Sequence, residues 1–164
     1  MENYGFITVT ENAEKLLVIA SELGIRRVAF ATEDFETVLK GYPDAALLTT
    51  PLLDEASRQF KEYFAGNLHD FTLPLDADFG TGYQESVLKY LPAIPYGETR
   101  SYAEIAMTLG KPNAIRATGT ACSKNPVPII VPCHRVIKTG GAVGNYLGGQ
   151  GFKKFLLELE RSER

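Results

Sequence analysis

Cys133 and His134 stand side by side in VPIIVPCHRVI, residues 127–137. A thiol beside an imidazole is the minimum equipment for nucleophilic chemistry: the thiolate attacks and the ring takes the proton. Adjacent side chains of an extended chain point to opposite faces. The pair therefore needs a turn, or a bridging water, to communicate. Glu160 falls on the apolar stripe of GFKKFLLELE, at i+4 from Leu156 and i+8 from Phe152. A carboxylate there must find a partner or be solvated at the helix end. Aimed at His134 it completes a Cys–His–Glu relay by the logic of hydrolytic triads. Asn125 stands where it can hold the start of the run Val127–Val131, which reads as a buried strand leading to Cys133. Against this, a free Cys is most often an inert buried hydrophobe. The two Cys (122 and 133) and two His (69 and 134) lack the spacing of a zinc site, so no metal is expected and no cofactor.

The elements around the pair are explicit. YQESVLKYL, residues 83–91, has helical spacing, and Pro92 and Pro95 stop it. Ser101 and Glu104 form a capping-box pattern ahead of Ile105, Ala106 and Leu109, and Gly110 sits where a C-terminal cap belongs. Pro112 is placed for the first turn of a second helix, NAIRATGTACSKN, ending by Asn125-Pro126. Two helices joined through a glycine turn make a helix-turn-helix. The second carries small residues (Ala114, Ala117, Gly119, Thr120, Ala121) and one projecting cation, Arg116. Such a surface either packs closely on the core or enters a DNA groove. KTGGAVGNYLGGQG then places six glycines around Tyr146, with no P-loop Lys-Ser/Thr.

The first half reads as α/β. Ile7 and Val9 look strand-like, EKLLVIA suits a strand or a short helix, IRRVAFAT suits a strand, and residues 54–65 suit a helix. A stretch rich in Gly, Asp and Pro places a boundary near residues 74–80, giving domains 1–78 and 79–164. Residues 1–82 carry 6 Lys/Arg against 14 Asp/Glu, net −8; residues 83–164 carry 11 against 6, net +5. The basic half suits an anionic partner or is simply a solvated face. No apolar run approaches a membrane span, and the N-terminus carries acids where a secretory signal carries bases. A cytoplasmic protein is expected.

PCHRV, together with IPYGETRSYAEIA, KPNAIRATGTACSKNPVPIIVPCHRVI and GAVGNYLGG, resembles the O6-alkylguanine-DNA alkyltransferases in order and spacing across roughly residues 79–160. The first 75 residues match only in outline, as that family's variable, RNase H-like α/β domain. The resemblance implies that Cys133 accepts the alkyl group from guanine O6. His134 would be its base through a water, Glu160 would orient His134, and Asn125 would brace the site. Tyr102 would donate to the leaving guanine. Arg116 would fill the gap left by an extruded nucleotide. Ala114, Ala117, Gly119, Thr120, Ser101 and Arg135 would meet DNA along the minor groove. The carbonyls of Cys133 and Val136 would read the base, and Cys122, Tyr146, Leu147 and Gly148 would line the pocket.

What the resemblance implies for the partner is double-stranded DNA carrying O6-alkylguanine, bound by a monomer close to the nucleoid in a prokaryote; it leaves open whether O4-alkylthymine is a second substrate. The thioether product has no route of regeneration, so the protein would act once. The chain departs from the pattern at Leu147 (a polar or larger residue in many members), at Leu88 (often Trp), and in lacking N-terminal zinc ligands. The competing readings are a lesion binder that does not transfer, a sequence-specific regulator and a Cys hydrolase.

Overall fold

EKLLVIA is a strand, because both of its faces are covered. The computed structural model describes residues 4–11 and 14–162. They divide into two compact units between Asp78 and Phe79.

In the first unit, β1 (Gly5–Glu11) pairs antiparallel with β2 (Glu14–Ala20), and β2 with β3 (Ile25–Phe30). After α1 (Phe35–Lys40), β4 (Ala46–Leu47) runs parallel to β1, giving the order β3-β2-β1-β4. Leu17 and Ile19 of β2 pack with Phe35, Val38 and Leu39 of α1. The opposite face meets α2 (Pro51–Phe64): a side chain at Gly5, which pairs with Ala20, would lie 3.1 Å from Leu53. A strand covered on both faces reads as a continuous apolar run, not an alternation. Beyond α2 the chain returns along β3: Ile25 donates to the Pro74 carbonyl, and Asp76 donates back to Ile25.

The second unit holds α3 (Gly82–Tyr90), a 3₁₀ turn at Leu91–Ala93, β5 (Arg100–Ser101), α4 (Tyr102–Thr108), α5 (Ile115–Ser123), β6 (Val136–Ile137) and α6 (Gln150–Ser162). The capping box is present in both directions, Glu104 N–H to Ser101 Oγ and Ser101 N–H to the Glu104 carboxylate. Gly110 adopts the left-handed conformation (φ 75°), and Lys111 N–H reaches back to the Ala106 carbonyl. Pro112 lies in the turn and not in the helix, since α5 begins only at Ile115. Tyr83 of α3 hydrogen-bonds Thr118, whose buried side chain turns one face of α5 inward.

The expected strand at Val127–Val131 is absent. These residues form a tight turn in which Val131 N–H returns to the Val127 carbonyl and Ile129 takes a left-handed φ of 73°. Pro126 and Pro128 contribute no N–H to a ladder, so branched apolar residues here fill a turn and not a sheet. The short strand lies after the cysteine: Val136–Ile137 runs parallel to Arg100–Ser101.

Candidate active site

The cysteine is fixed from behind by Asn125. Asn125 Nδ2 donates to the Val131 carbonyl (2.8 Å), and its Oδ1 accepts from Val127 N–H (3.0 Å). The same Val131 carbonyl accepts Cys133 N–H (2.9 Å) across Pro132, whose φ of −83° and ψ of 63° describe an inverse γ-turn. Cys133, His134 and Arg135 then form one turn of 3₁₀ helix, closed by Val136 N–H to the Cys133 carbonyl. That turn resolves the problem of adjacent side chains on opposite faces. It also engages one lone pair of the Cys133 carbonyl.

α6 brings the partners. His134 Nε2 lies 2.6 Å from Glu160 Oε2, with both side chains buried. Glu160 also accepts from Arg135 Nε (2.8 Å), Arg135 Nη2 (3.1 Å) and Gly97 N–H (3.3 Å). Burial works against its charge, but the bonds from His134 and Arg135 prevail and hold the carboxyl well below the usual carboxylate range. Burial pushes His134 below its ordinary value, against the pull of Glu160.

Arg135, expected to meet DNA, is turned into the protein. It is 5% exposed, donates to Glu160 and to the Ile94 carbonyl (2.7 Å), and lies over the Tyr96 ring. Its guanidinium is used internally because Glu160, buried beside it, needs a countercharge.

Lys153 was not singled out from the sequence, yet it is 0% exposed. Its Nζ is 3.4 Å from Tyr102 Oη and lies over the rings of Tyr102 and Tyr146, at 5.7 and 6.0 Å. Burial pushes its ammonium down, while the nearby thiols of Cys133 and Cys122 favour its charge. The reciprocal effect appears at Cys133: burial raises the thiol, and Asn125 and Lys153 oppose that rise. Cys122 is raised by burial and by Cys133. Tyr102 is pushed up to about 12, first by burial, so it keeps its proton at neutral pH. The available signal for Lys153 was its spacing: it lies at i−3 from Leu156 and i−7 from Glu160, on the buried side of α6.

Tyr102 forms the junction between α5 and the glycine loop. A side chain at Gly144 would come 3.1 Å from Tyr102 Oη, and one at Gly119 would be 3.8 Å from its ring. Arg116, Ala117 and Thr120 are exposed on α5, while Ala114 and Gly119 are half-buried. Ser101 is half-buried and committed to capping α4. Val136 is buried, Tyr146 and Gly148 are half-buried, and Leu147 is exposed. Among the described residues, no group of three His, Cys, Asp or Glu is placed to hold a metal. No helix among them is long and apolar enough to cross a membrane.

Comparison with known proteins finds matches to both units. Residues 4–77 match the ribonuclease-like domain of 6-O-methylguanine DNA methyltransferase, and residues 82–162 match its DNA binding domain. The constitutive methylated-DNA–protein-cysteine methyltransferase of Bacillus subtilis is 41% identical over 160 residues, covering 97% of this chain and 96% of that protein. The Methanosarcina acetivorans protein of that function name is 44% identical over 147 residues, covering 90% and 92%. A crystal structure of Mycobacterium tuberculosis O6-methylguanine methyltransferase superposes with a TM-score of 0.85 at 38% identity, covering 100% of this chain and 95% of that one. One of Mycobacterium tuberculosis OGT in complex with DNA gives 0.83 at 39%, covering 98% and 94%. The chain belongs to the 6-O-methylguanine DNA methyltransferase family.

Proposed function

We propose that this protein repairs DNA by direct reversal, moving the alkyl group of O6-alkylguanine irreversibly onto Cys133. The observation that carries the proposal is a buried thiol in electrostatic reach of Lys153 and Tyr102, on the same turn as a His134 paired with Glu160. A thiol only 6% exposed is out of reach of a base stacked in duplex, so the nucleotide must leave the helix. Arg116, exposed near the start of α5, is the side chain to occupy its place. The small residues Ala114, Ala117 and Gly119 let the helix approach along the minor groove, with Thr120 and Ser101 at its edges.

In the transfer, the thiol proton passes through a water to His134. It arrives at Nδ1, because Nε2 is bonded to Glu160. The sulfur attacks the alkyl carbon, the S–C bond forms and the C–O6 bond breaks. The electron pair stays on guanine, where Tyr102 donates to the leaving base. Lys153, close to both Tyr102 and the thiols, favours the thiolate that burial alone would suppress. Cys122, Val136, Tyr146, Leu147 and Gly148 are assigned to the pocket wall, the Val136 carbonyl reading the base edge. Residues 79–164 hold this machinery, and residues 1–78 form a separate domain. We assign the protein to the cytoplasm, acting as a monomer.

The test is to incubate the protein with a duplex carrying a single O6-methylguanine and to measure intact and peptide masses. One methyl on the Cys133 peptide, stopping at one equivalent, is expected. Selective binding without modification would replace the proposal with a lesion binder. More than one equivalent of demethylated base per protein would point to a turnover enzyme.

A further inference from the structure

Resting on the transfer mechanism above, we infer that Arg135 is a positioning residue: it holds Glu160 as a fixed, unprotonated acceptor, so that His134 meets the thiol as a neutral base. The geometry is a two-point grip. Arg135 Nε and Nη2 reach the two oxygens of the Glu160 carboxylate, at 2.8 and 3.1 Å. Its remaining arm is anchored on the Ile94 carbonyl at 2.7 Å, so the guanidinium is itself immobilised. A planar fork of this kind fixes both the position and the plane of a carboxylate, which an ammonium cannot do. The oxygen bonded to His134 is the one that Nη2 contacts, so the grip directly sets the line between Glu160 and the ring.

The consequence follows from the charges around His134. From α6 it faces Glu160 and Lys153, and on its own turn it has Cys133 and Arg135. Tyr96 lies against Arg135, and Tyr102 acts on Cys133 and Cys122. Only Glu160 favours a proton on the ring. Without Arg135 the carboxylate charge would be opposed only by burial and by Lys153. The buried pair would then hold a proton up to a higher pH, leaving less of the neutral base to the thiol.

The experiment is the rate of methyl transfer from the O6-methylguanine duplex, measured in a single turnover from about pH 5 to pH 8, for the full chain and for R135Q and R135K. Transfer by the unmutated chain tests the mechanism itself, so its absence would sink the proposed function and not this inference alone. For R135Q the acid limb is expected to move upward by about one pH unit. R135K keeps the charge but loses the fork, so a limb near the original position with a slower plateau is expected. A uniform slowing of R135Q at every pH, with the limb unmoved, would mean that Arg135 only supports the fold and would overturn the inference. Should R135Q fail to fold, R135K decides the matter. A slower plateau with the limb near its original position supports the fork's role, and rates equal to those of the unmutated chain at every pH sink it.

Discussion

Lys153 is where burial and function conflict most directly. A buried ammonium is costly unless something negative or aromatic compensates it. Here two tyrosine rings and two thiols surround it, and only a thiolate supplies a full charge. Replacing it with Met keeps the length and the packing but removes that charge. Lys153→Met is expected to slow methyl transfer by roughly a hundredfold while leaving affinity for the lesion duplex within about threefold. Single-turnover rates and fluorescence-anisotropy titrations of one preparation separate the two effects. The grouping of Cys133, His134, Asn125 and Glu160 was legible in the sequence because motif and helical spacing mark them. Lys153 was not, since a lysine in an amphipathic helix reads as surface, and its i+7 relation to Glu160 has meaning only once Glu160 is known to be buried. The internal role of Arg135 was hidden for a related reason: a cation beside a DNA-directed motif reads as facing the partner until a buried carboxylate is seen to claim it.

At the scale of elements, the helix pair and the glycine loop hold Tyr102 between them. Gly144 has φ of 81°, and a methyl there would press on the Tyr102 hydroxyl at 3.1 Å. Gly144→Ala therefore combines backbone strain of about 1–3 kcal/mol with displacement of the donor. Transfer should fall by about tenfold or more, with a lowered Tm in the same samples. α5 permits a cleaner dissection. Arg116→Ala should slow reaction with duplex DNA by roughly tenfold, yet leave reaction with free O6-benzylguanine base unchanged, because a free base needs no extrusion. Equal losses on both substrates would remove Arg116 from the flipping step.

The helix-turn-helix was readable because a capping box and a glycine stop are local signals that tertiary contacts seldom override. The segment before Cys133 was not. Branched apolar residues favour strands, but two prolines and the Asn125 clamp close them into a turn that even tolerates Ile129 at φ 73°. Likewise, β2 was ambiguous between strand and helix because burial on both faces removes the alternation from which a period is read.

For the whole molecule, acid is the informative stress. His134 is depressed in the folded state, so the stability it lends is present above its ordinary value of 6.5 and is lost as the pH falls below it. Glu160 is depressed too, and its contribution is lost as the pH falls further, below 4.5. Thermal melts should show Tm declining in two stages across these values, and Glu160→Gln should abolish the lower stage. A Tm independent of pH down to about 4 would contradict the buried pair.

The parallel pairing of Val136–Ile137 with Arg100–Ser101 and the grip of Glu160 on residues 97, 134 and 135 join parts of the chain that are far apart in sequence. Their meaning extends to the order of synthesis. Cys133 leaves the ribosome well before α6, which brings both Lys153 and Glu160. Through that interval the thiol has neither its countercharge nor an oriented base. The thiol is therefore made before the surroundings that the proposed transfer needs, and the site is complete only when the helix carrying Lys153 and Glu160 has docked.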